Sequence, residues 1–515
     1  MKKAIGLLGL LALLTLPLIS PAGASGQDRE RNDPPGTETF DAKLWSNFDL
    51  QGNSHLILQT EEKNCIEVSP PFTSKSAQNA TNFVLGIYVE SNCGGTSVEK
   101  VYPHSRANYT ERSVKSVKFY VRSHVISMGD SYISGEGGRW IANPYGANNY
   151  RGTAPAAADL EIVDRAYRTN ANAVYGNTWT YKLNGVEKPG CHRSDTAEIQ
   201  WLKNTAMRNP FNDSATPTIK NIACSGATTS DMRNLFKGEQ LTQIQDLESE
   251  VSENTNIVKY VVLSIGGNDL DVTGIVEQCV RHYFAPTLYP TTCQQYKAQK
   301  ITQEKFATLK TNLKDIVKRI DTTLNQKANY GNFARIIVQG YPRPFPPAAA
   351  QVRPGVDGER DKRYGCPFHD ADFATLESIN KELNEKLDSW TGESGFWPQG
   401  RKGAFMNLRQ AFDDHEACSN QTYVSKNTAT YDGTTTGLPN SFNSPAARAK
   451  WEWVRFINEA KNSGEDENLK QESGHPNATG QRVLGDCLAR VISKLENSTD
   501  SFKSYKCVKG VVTAS

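Results

Sequence analysis

Gly129-Asp130-Ser131-Tyr132-Ile133-Ser134-Gly135-Glu136-Gly137 follows directly on the apolar run Val125 to Met128. A short apolar run closed by a Gly-rich turn reads as a buried strand. Ser131 then stands in a Gly-rich turn at the strand's end. In that position a serine exposes its hydroxyl and its own N–H to a ligand, which a nucleophile requires. The tripeptide Gly129-Asp130-Ser131 alone reads equally well as an ordinary turn. Three further stretches of the chain shift the balance.

Working outward, apolar runs recur at Ile219 to Ala223, Val258 to Ile265, Arg335 to Gln339 and Ala404 to Asn407. Helical stripes lie between and after them: Phe306, Leu309, Leu313, Ile316, Val317, Ile320, Leu324; then Phe373, Leu376, Ile379, Leu383, Leu387; then Val483, Leu484, Cys487, Leu488, Val491, Ile492, Leu495. Each has the three-and-four spacing of one buried helix face. Strands alternating with helices predict an α/β domain whose parallel sheet is covered on both faces. Active sites of such sheets lie beyond the carboxyl ends of the strands.

The loops after the strands carry the chemistry. After the second stands Cys224-Ser225-Gly226-Ala227, where a glycine lets backbone approach a substrate and offer its N–H. After the third stands Gly266-Gly267-Asn268-Asp269, which places a side-chain amide donor at the same edge. Near the C-terminus Gly474-His475-Pro476-Asn477 precedes the last helical stripe, with Asn477 or Thr479 available as N-cap. A histidine just before a helix N-terminus feels the positive end of the dipole, which favours the neutral imidazole of a general base. The other seven of the eight histidines lack such a setting.

In the order Ser131, Gly226, Asn268, His475, these loops resemble the four signature blocks of the SGNH (GDSL-type) hydrolases. Cys191-His192-Arg193-Ser194 and Gly340-Tyr341-Pro342-Arg343 are similar to the secreted, disulfide-bonded, lipase-like branch known from actinobacteria. The resemblance covers residues 124 to about 495. It implies a flavodoxin-like three-layer α/β/α sandwich with a parallel central sheet, and an ester hydrolase that needs no metal or organic cofactor. By position, Ser131 is the nucleophile and His475 its general base. The Ser131 and Gly226 N–H groups and the Asn268 amide form the oxyanion hole. Three residues before His475, where many members have Asp, this chain has Glu472, which leaves two choices for the group on the far imidazole nitrogen: the Glu472 side chain or a backbone carbonyl. Between Gly137 and Cys191 the chain also runs longer than in relatives, as a lid, a cleft wall or a plain surface insertion.

The remaining sequence bounds where the protein works. Lys2 and Lys3, an apolar run from Ile5 to Ile19 and Ala22-Gly23-Ala24 read as a secretory signal peptide (1–24). No later segment offers the ~20 apolar residues of a membrane span, so a secreted or extracytoplasmic protein is expected. Ten cysteines, all beyond the cleavage site, argue for disulfides in an exported chain. Pairing neighbours in order would close five local loops, and 191/224, 279/293 and 366/418 fall where the resembling branch has its three bridges. Residues 25–38 read as a flexible leader. Residues 39–115, with short alternating stretches and Cys65 and Cys93, read as a small β-rich module, either a carbohydrate binder or a spacer. The hydrolase domain is placed at 116–497 and a tail tied by Cys487 and Cys507 at 498–515.

Several function classes are disfavoured. A net charge of +2, from 58 basic and 56 acidic residues, gives no electrostatic reason for a nucleic-acid partner. No strand-end serine sits in G-x-S-x-G, and His415-Glu416 lacks the second histidine of a zinc motif. The expected substrate is an ester: a lipid, a small ester or an acetylated glycan. The rival readings are a polysaccharide O-acetyl esterase and a non-catalytic cell-surface or carbohydrate-binding protein on the same scaffold.

Overall fold

A computed structural model of the chain describes residues 41–514 except 59–64, 82, 96, 102–104, 121–122, 141–173, 204–217, 253–256, 327–333, 353–365, 423–451, 456, 458–470 and 497. The stretches read as a signal peptide (1–24) and a leader (25–38), and most of the long segment after Gly137, lie outside the described residues.

The N-terminal region forms a six-stranded antiparallel sheet from β1 (Ala42–Trp45), β2 (Ser54–Ile57), β3 (Cys65–Asn79), β4 (Val84–Tyr88), β5 (Glu99–Val101) and β6 (Ser105–Tyr120), in the order β2-β1-β3-β6-β4-β5. Its own apolar core includes Leu44, Ile57, Leu85, Ile87, Val114, Val117 and Phe119. The two long strands β3 and β6 pair with register breaks between Glu67 and Phe72 and between Ser74 and Ser76, bulges that bend a long ribbon over its core.

The second sheet begins with β7 (Ser123–Gly129). It continues with β10 (Thr218–Asn221), β11 (Ile257–Ser264), β12 (Arg335–Gln339), β13 (Lys402–Gln410), β14 (Phe502–Val508) and β15 (Val511–Ala514), ordered β10-β7-β11-β12-β13-β14-β15. Every neighbour pair is parallel except β14 with β15. Counted from β7, the first five strands run 2-1-3-4-5, the flavodoxin-like order. All five predicted strands are present. Residues after 498 supply two more strands of this sheet, and Cys487 is bonded to Cys507 on β14. A separate hairpin pairs β8 (Thr180–Leu183) with β9 (Val186–Pro189).

Successive strand residues face opposite sides. Val125, Val262, Ile337 and Met406 belong to one apolar cluster, and Ile126, Val261, Ile336 and Phe405 to the other. A strand buried on both faces is apolar at consecutive positions, which is why these runs stand out in the sequence.

Among the described residues seven helices flank the sheet: α1 (Ser131–Ser134), α2 (Gln243–Ser252), α3 (Val272–Phe284), α4 (Cys293–Lys300), α5 (Gln303–Asn325), α6 (Asp370–Gly392) and α7 (Ala478–Glu496). In α5, Thr302 caps the first turn by accepting from the Lys305 N–H, and the seven apolar residues of the predicted stripe are all buried. Burying such side chains contributes roughly 1.5–3 kcal/mol each, far more than helix propensity does. α7 buries Val483, Leu484, Leu488, Val491, Ile492 and Leu495 against the opposite face. Asn477 is its cap, accepting from the Gly480 N–H at 3.0 Å. All ten cysteines are paired, as 65–93, 191–224, 279–293, 366–418 and 487–507.

Candidate active site

Ser131 opens α1 directly beyond β7. Asp130 caps that short turn, its carboxylate accepting from the Tyr132 N–H at 3.2 Å. Asp130 is buried and also receives the Tyr341 hydroxyl. Burial lifts its pKa to about 7 against the lowering effect of these donors. The Tyr341 oxygen in turn accepts from the Gly267 N–H at 3.1 Å, so the loops after β7, β11 and β12 are fastened through one phenol.

His475 reaches this loop from the far end of the chain. Its Nε2 lies 2.7 Å from Ser131 Oγ and its Nδ1 3.1 Å from the Ser473 carbonyl oxygen. A carbonyl only accepts, so Nδ1 carries the proton and Nε2 presents its lone pair to the serine hydroxyl. Burial lowers the His475 pKa, and the nearby Glu136 carboxylate and the Ser473 and Gln471 carbonyls offset part of that. The imidazole is thus held neutral chiefly by desolvation, where the helix dipole had been the expected cause. Tyr132 packs on the ring, centroids 5.0 Å apart, and donates its hydroxyl to the Gly474 carbonyl at 2.9 Å. On another side, a Cβ on Gly137 would stand 3.0 Å from the Pro476 oxygen and 3.4 Å from His475 Cβ. The last glycine of the Ser131 motif lets the two loops close on each other.

The predicted oxyanion donors converge on the same edge. Gly226 is exposed and has φ +83°, a conformation costly for other residues. Among the described residues, neither the Ser131 N–H nor the Gly226 N–H has an acceptor. The Asn268 amide donates to the Ala227 carbonyl at 2.9 Å, which uses one of its two protons and orients the other. Asp269 accepts from the Thr229 N–H and hydroxyl, and the Cys191–Cys224 bond anchors the loop's other end.

Glu472 requires a correction. Its carboxylate does not meet His475. It is fully buried and takes Arg139 Nε at 2.6 Å, Arg139 Nη2 at 3.0 Å, Trp140 Nε1 at 2.7 Å and the Tyr175 hydroxyl at 2.8 Å. A two-pronged guanidinium plus two neutral donors outcompetes a single imidazole N–H for one carboxylate, and the Ser473 carbonyl takes the position on His475. Of the two choices the sequence left open, the backbone one is realised.

Sequence reasoning assigned no role to a second buried pair beside the site. The His192 Nδ1 lies 2.7 and 2.8 Å from the Glu136 oxygens, and its Nε2 donates to the Trp179 carbonyl at 2.9 Å. His192 stacks on Tyr175 and Trp179. Contact with His192 holds the Glu136 carboxyl down at about 2 despite its burial. Both residues lie inside motifs visible in the sequence, but nothing there says that they pair. His415 stacks on Trp453, ring centroids 3.7 Å apart. Among the described residues no three His, Cys, Asp or Glu side chains gather as metal ligands, and no helix is long and apolar enough to cross a membrane.

The strand order, with serine, glycine and asparagine loops at the carboxyl edge and histidine before the last helix, decides the architecture. The fold is SGNH hydrolase-like. Solved structures similar to it include an extracellular lipase from Streptomyces rimosus, with 16% identity, covering 72% of this chain and 99% of that one, TM-score 0.38. A phospholipase A1 from Streptomyces albidoflavus is 17% identical over 72% and 98% of the two chains, TM-score 0.34. A carbohydrate esterase family 2 enzyme with a carbohydrate-binding domain, from Corynascus thermopiles, is 10% identical over 89% and 93%, TM-score 0.28. No family model and no curated protein matches the chain.

Proposed function

We propose that the protein is a secreted serine ester hydrolase acting through an acyl-enzyme. The observation that carries this reading is the 2.7 Å contact of His475 Nε2 with Ser131 Oγ, beside two backbone N–H groups left without acceptors among the described residues. Ser131 Oγ attacks the ester carbonyl carbon while its proton passes to His475 Nε2. The C=O pair moves onto oxygen, and the Ser131 and Gly226 N–H groups with the second Asn268 amide proton receive that charge. As the carbonyl re-forms, the alcohol leaves with the proton from His475. Water then attacks the acyl-Ser131 by the same route and frees the acid. The Ser473 carbonyl keeps the productive tautomer and steadies the imidazolium, leaving a dyad of Ser131 and His475.

The substrate classes that fit are lipids, small esters and acetylated glycans, and the N-terminal sheet acts as a separate packing module. Five disulfides in one chain support an oxidising compartment. A fluorophosphonate probe and p-nitrophenyl esters of increasing acyl length, tested with wild type and Ser131→Ala, decide the matter. Labelling and turnover should both vanish in Ser131→Ala. Equal turnover in that variant would overturn the reading.

A further inference from the structure

Lys237 stands beside Gly226 and takes no part in the proposed reaction. Its Nζ and Cε lie 3.6 and 3.7 Å from where a Cβ on Gly226 would stand, and Phe236 Cζ is 3.7 Å from the same point. These two side-chain tips therefore lie against Gly226, the glycine whose N–H is proposed to receive the oxyanion. Lys237 holds φ +48°, a left-handed backbone that a long side chain adopts at a cost of order 1–2 kcal/mol.

The cation is only partly used. Nζ donates to the Gly190 carbonyl at 3.1 Å, and its other two protons have no acceptor among the described residues. No carboxylate there forms an ion pair with it. The nearest opposing charge, Glu136, is already held by His192. Burial lowers the Lys237 pKa while Glu136 opposes the change. The ammonium keeps spare hydrogen-bonding capacity in a partly desolvated position beside Gly226, where a charge-assisted bond is at its strongest.

We propose that Lys237 is a specificity-determining residue whose ammonium receives an anionic group, carboxylate or phosphate, carried by the ester substrate close to the scissile carbonyl. This rests on the reading of Ser131 as nucleophile and adds the chemistry of the substrate to it. The preferred esters are then those of dicarboxylic acids, or lipids and metabolites with a nearby phosphate, over neutral esters of equal length.

The test compares kcat/KM for p-nitrophenyl butyrate, mono-p-nitrophenyl glutarate and p-nitrophenyl 4-phosphonobutyrate. In wild type the anionic esters should be favoured, the larger preference telling carboxylate from phosphate. Lys237→Met should lower the anionic-to-neutral ratio by about tenfold, a change of about 1.4 kcal/mol, and Lys237→Arg should retain most of it. Raising salt from about 0.01 to about 0.5 M should compress the same ratio in wild type, which serves if Lys237→Met folds poorly. A fall in all three rates by one factor would place Lys237 on the oxyanion instead and overturn the proposal, as would a ratio indifferent to both the variant and salt. Should no ester be turned over, the hydrolase reading fails. Calorimetric binding of glutarate to Ser131→Ala, against Ser131→Ala with Lys237→Met, still decides whether the cation takes an anion.

Discussion

Replacing Glu472 by glutamine separates an anchor from a catalytic carboxylate. The wild-type carboxylate accepts from four donors, two of them on Arg139. An amide offers one oxygen and one NH₂, so in either orientation the nitrogen faces a donor and Arg139 loses its counter-charge in a buried site. Breaking a buried pair from one side costs about 3–5 kcal/mol. His475 keeps the Ser473 carbonyl on Nδ1, so Glu472→Gln should retain kcat within about tenfold while unfolding in less urea by that free energy. A carboxylate acting on the imidazole would behave in the opposite way, with a rate loss up to ~10⁴-fold when the tautomer is set wrongly. Urea unfolding followed by fluorescence and circular dichroism, alongside kcat of the folded variant, distinguishes the two. A loss of ~10³-fold or more with unchanged unfolding free energy would refute the anchor and restore Glu472 as the third catalytic group.

Other outcomes follow from the same geometry. Asn268→Ala should lower kcat by ~10²- to 10³-fold with little change in KM, as for the loss of one oxyanion donor, and an unchanged kcat would remove Asn268 from the hole. Because burial puts the His475 pKa below the free imidazole value of 6.5, kcat/KM should rise with pH along an acid limb centred below 6.5; a limb centred above it would contradict a desolvated base. Glu198 is fully buried beside Gln339, and burial raises its pKa from 4.5 to about 8 against the lowering effect of that amide. The folded state thus holds a proton that the unfolded state releases between those values, and stability should fall with rising pH across that window by up to about 1.4 kcal/mol per unit. Glu198→Gln should flatten that slope and gain on wild type toward pH 8, whereas parallel stability curves would show that Glu198 is charged throughout. Reducing the Cys191–Cys224 bond should loosen the Gly226 loop and cut turnover before global unfolding, as judged by activity against near-UV circular dichroism.

The strands were legible because burial on both faces makes them continuously apolar: Val258 to Ile265 appears as Ile257–Ser264 and Arg335 to Gln339 without change. The helices were legible because one face alone is apolar, as in α5 and α7. Ser131, Gly226, Asn268 and His475 announced themselves through position, each just beyond a strand end or before a helix. The direction of the Glu472 side chain was not legible. Three residues of spacing allow a carboxylate to reach the imidazole, but the groups that capture it, Arg139, Trp140 and Tyr175, lie 333, 332 and 297 residues away. Lys237 carried no motif, and only the fold brings it to Gly226. The great length of β3 and β6 was hidden because each is half exposed and broken by bulges, so polar residues interrupt its alternation.

The separation of 344 residues between Ser131 and His475 also orders events in time. Chains are made from the N-terminus, and early segments collapse first. When synthesis has passed Asn268 but not reached His475, the proposed nucleophile, both backbone donors and the asparagine exist, and the proposed base does not. Then α7 must still dock, and β14 must still join the sheet beside β13 and bond back through Cys507. On the proposed mechanism, any product that stops before His475 lacks its base and is inert, so competence arrives only with the last helix.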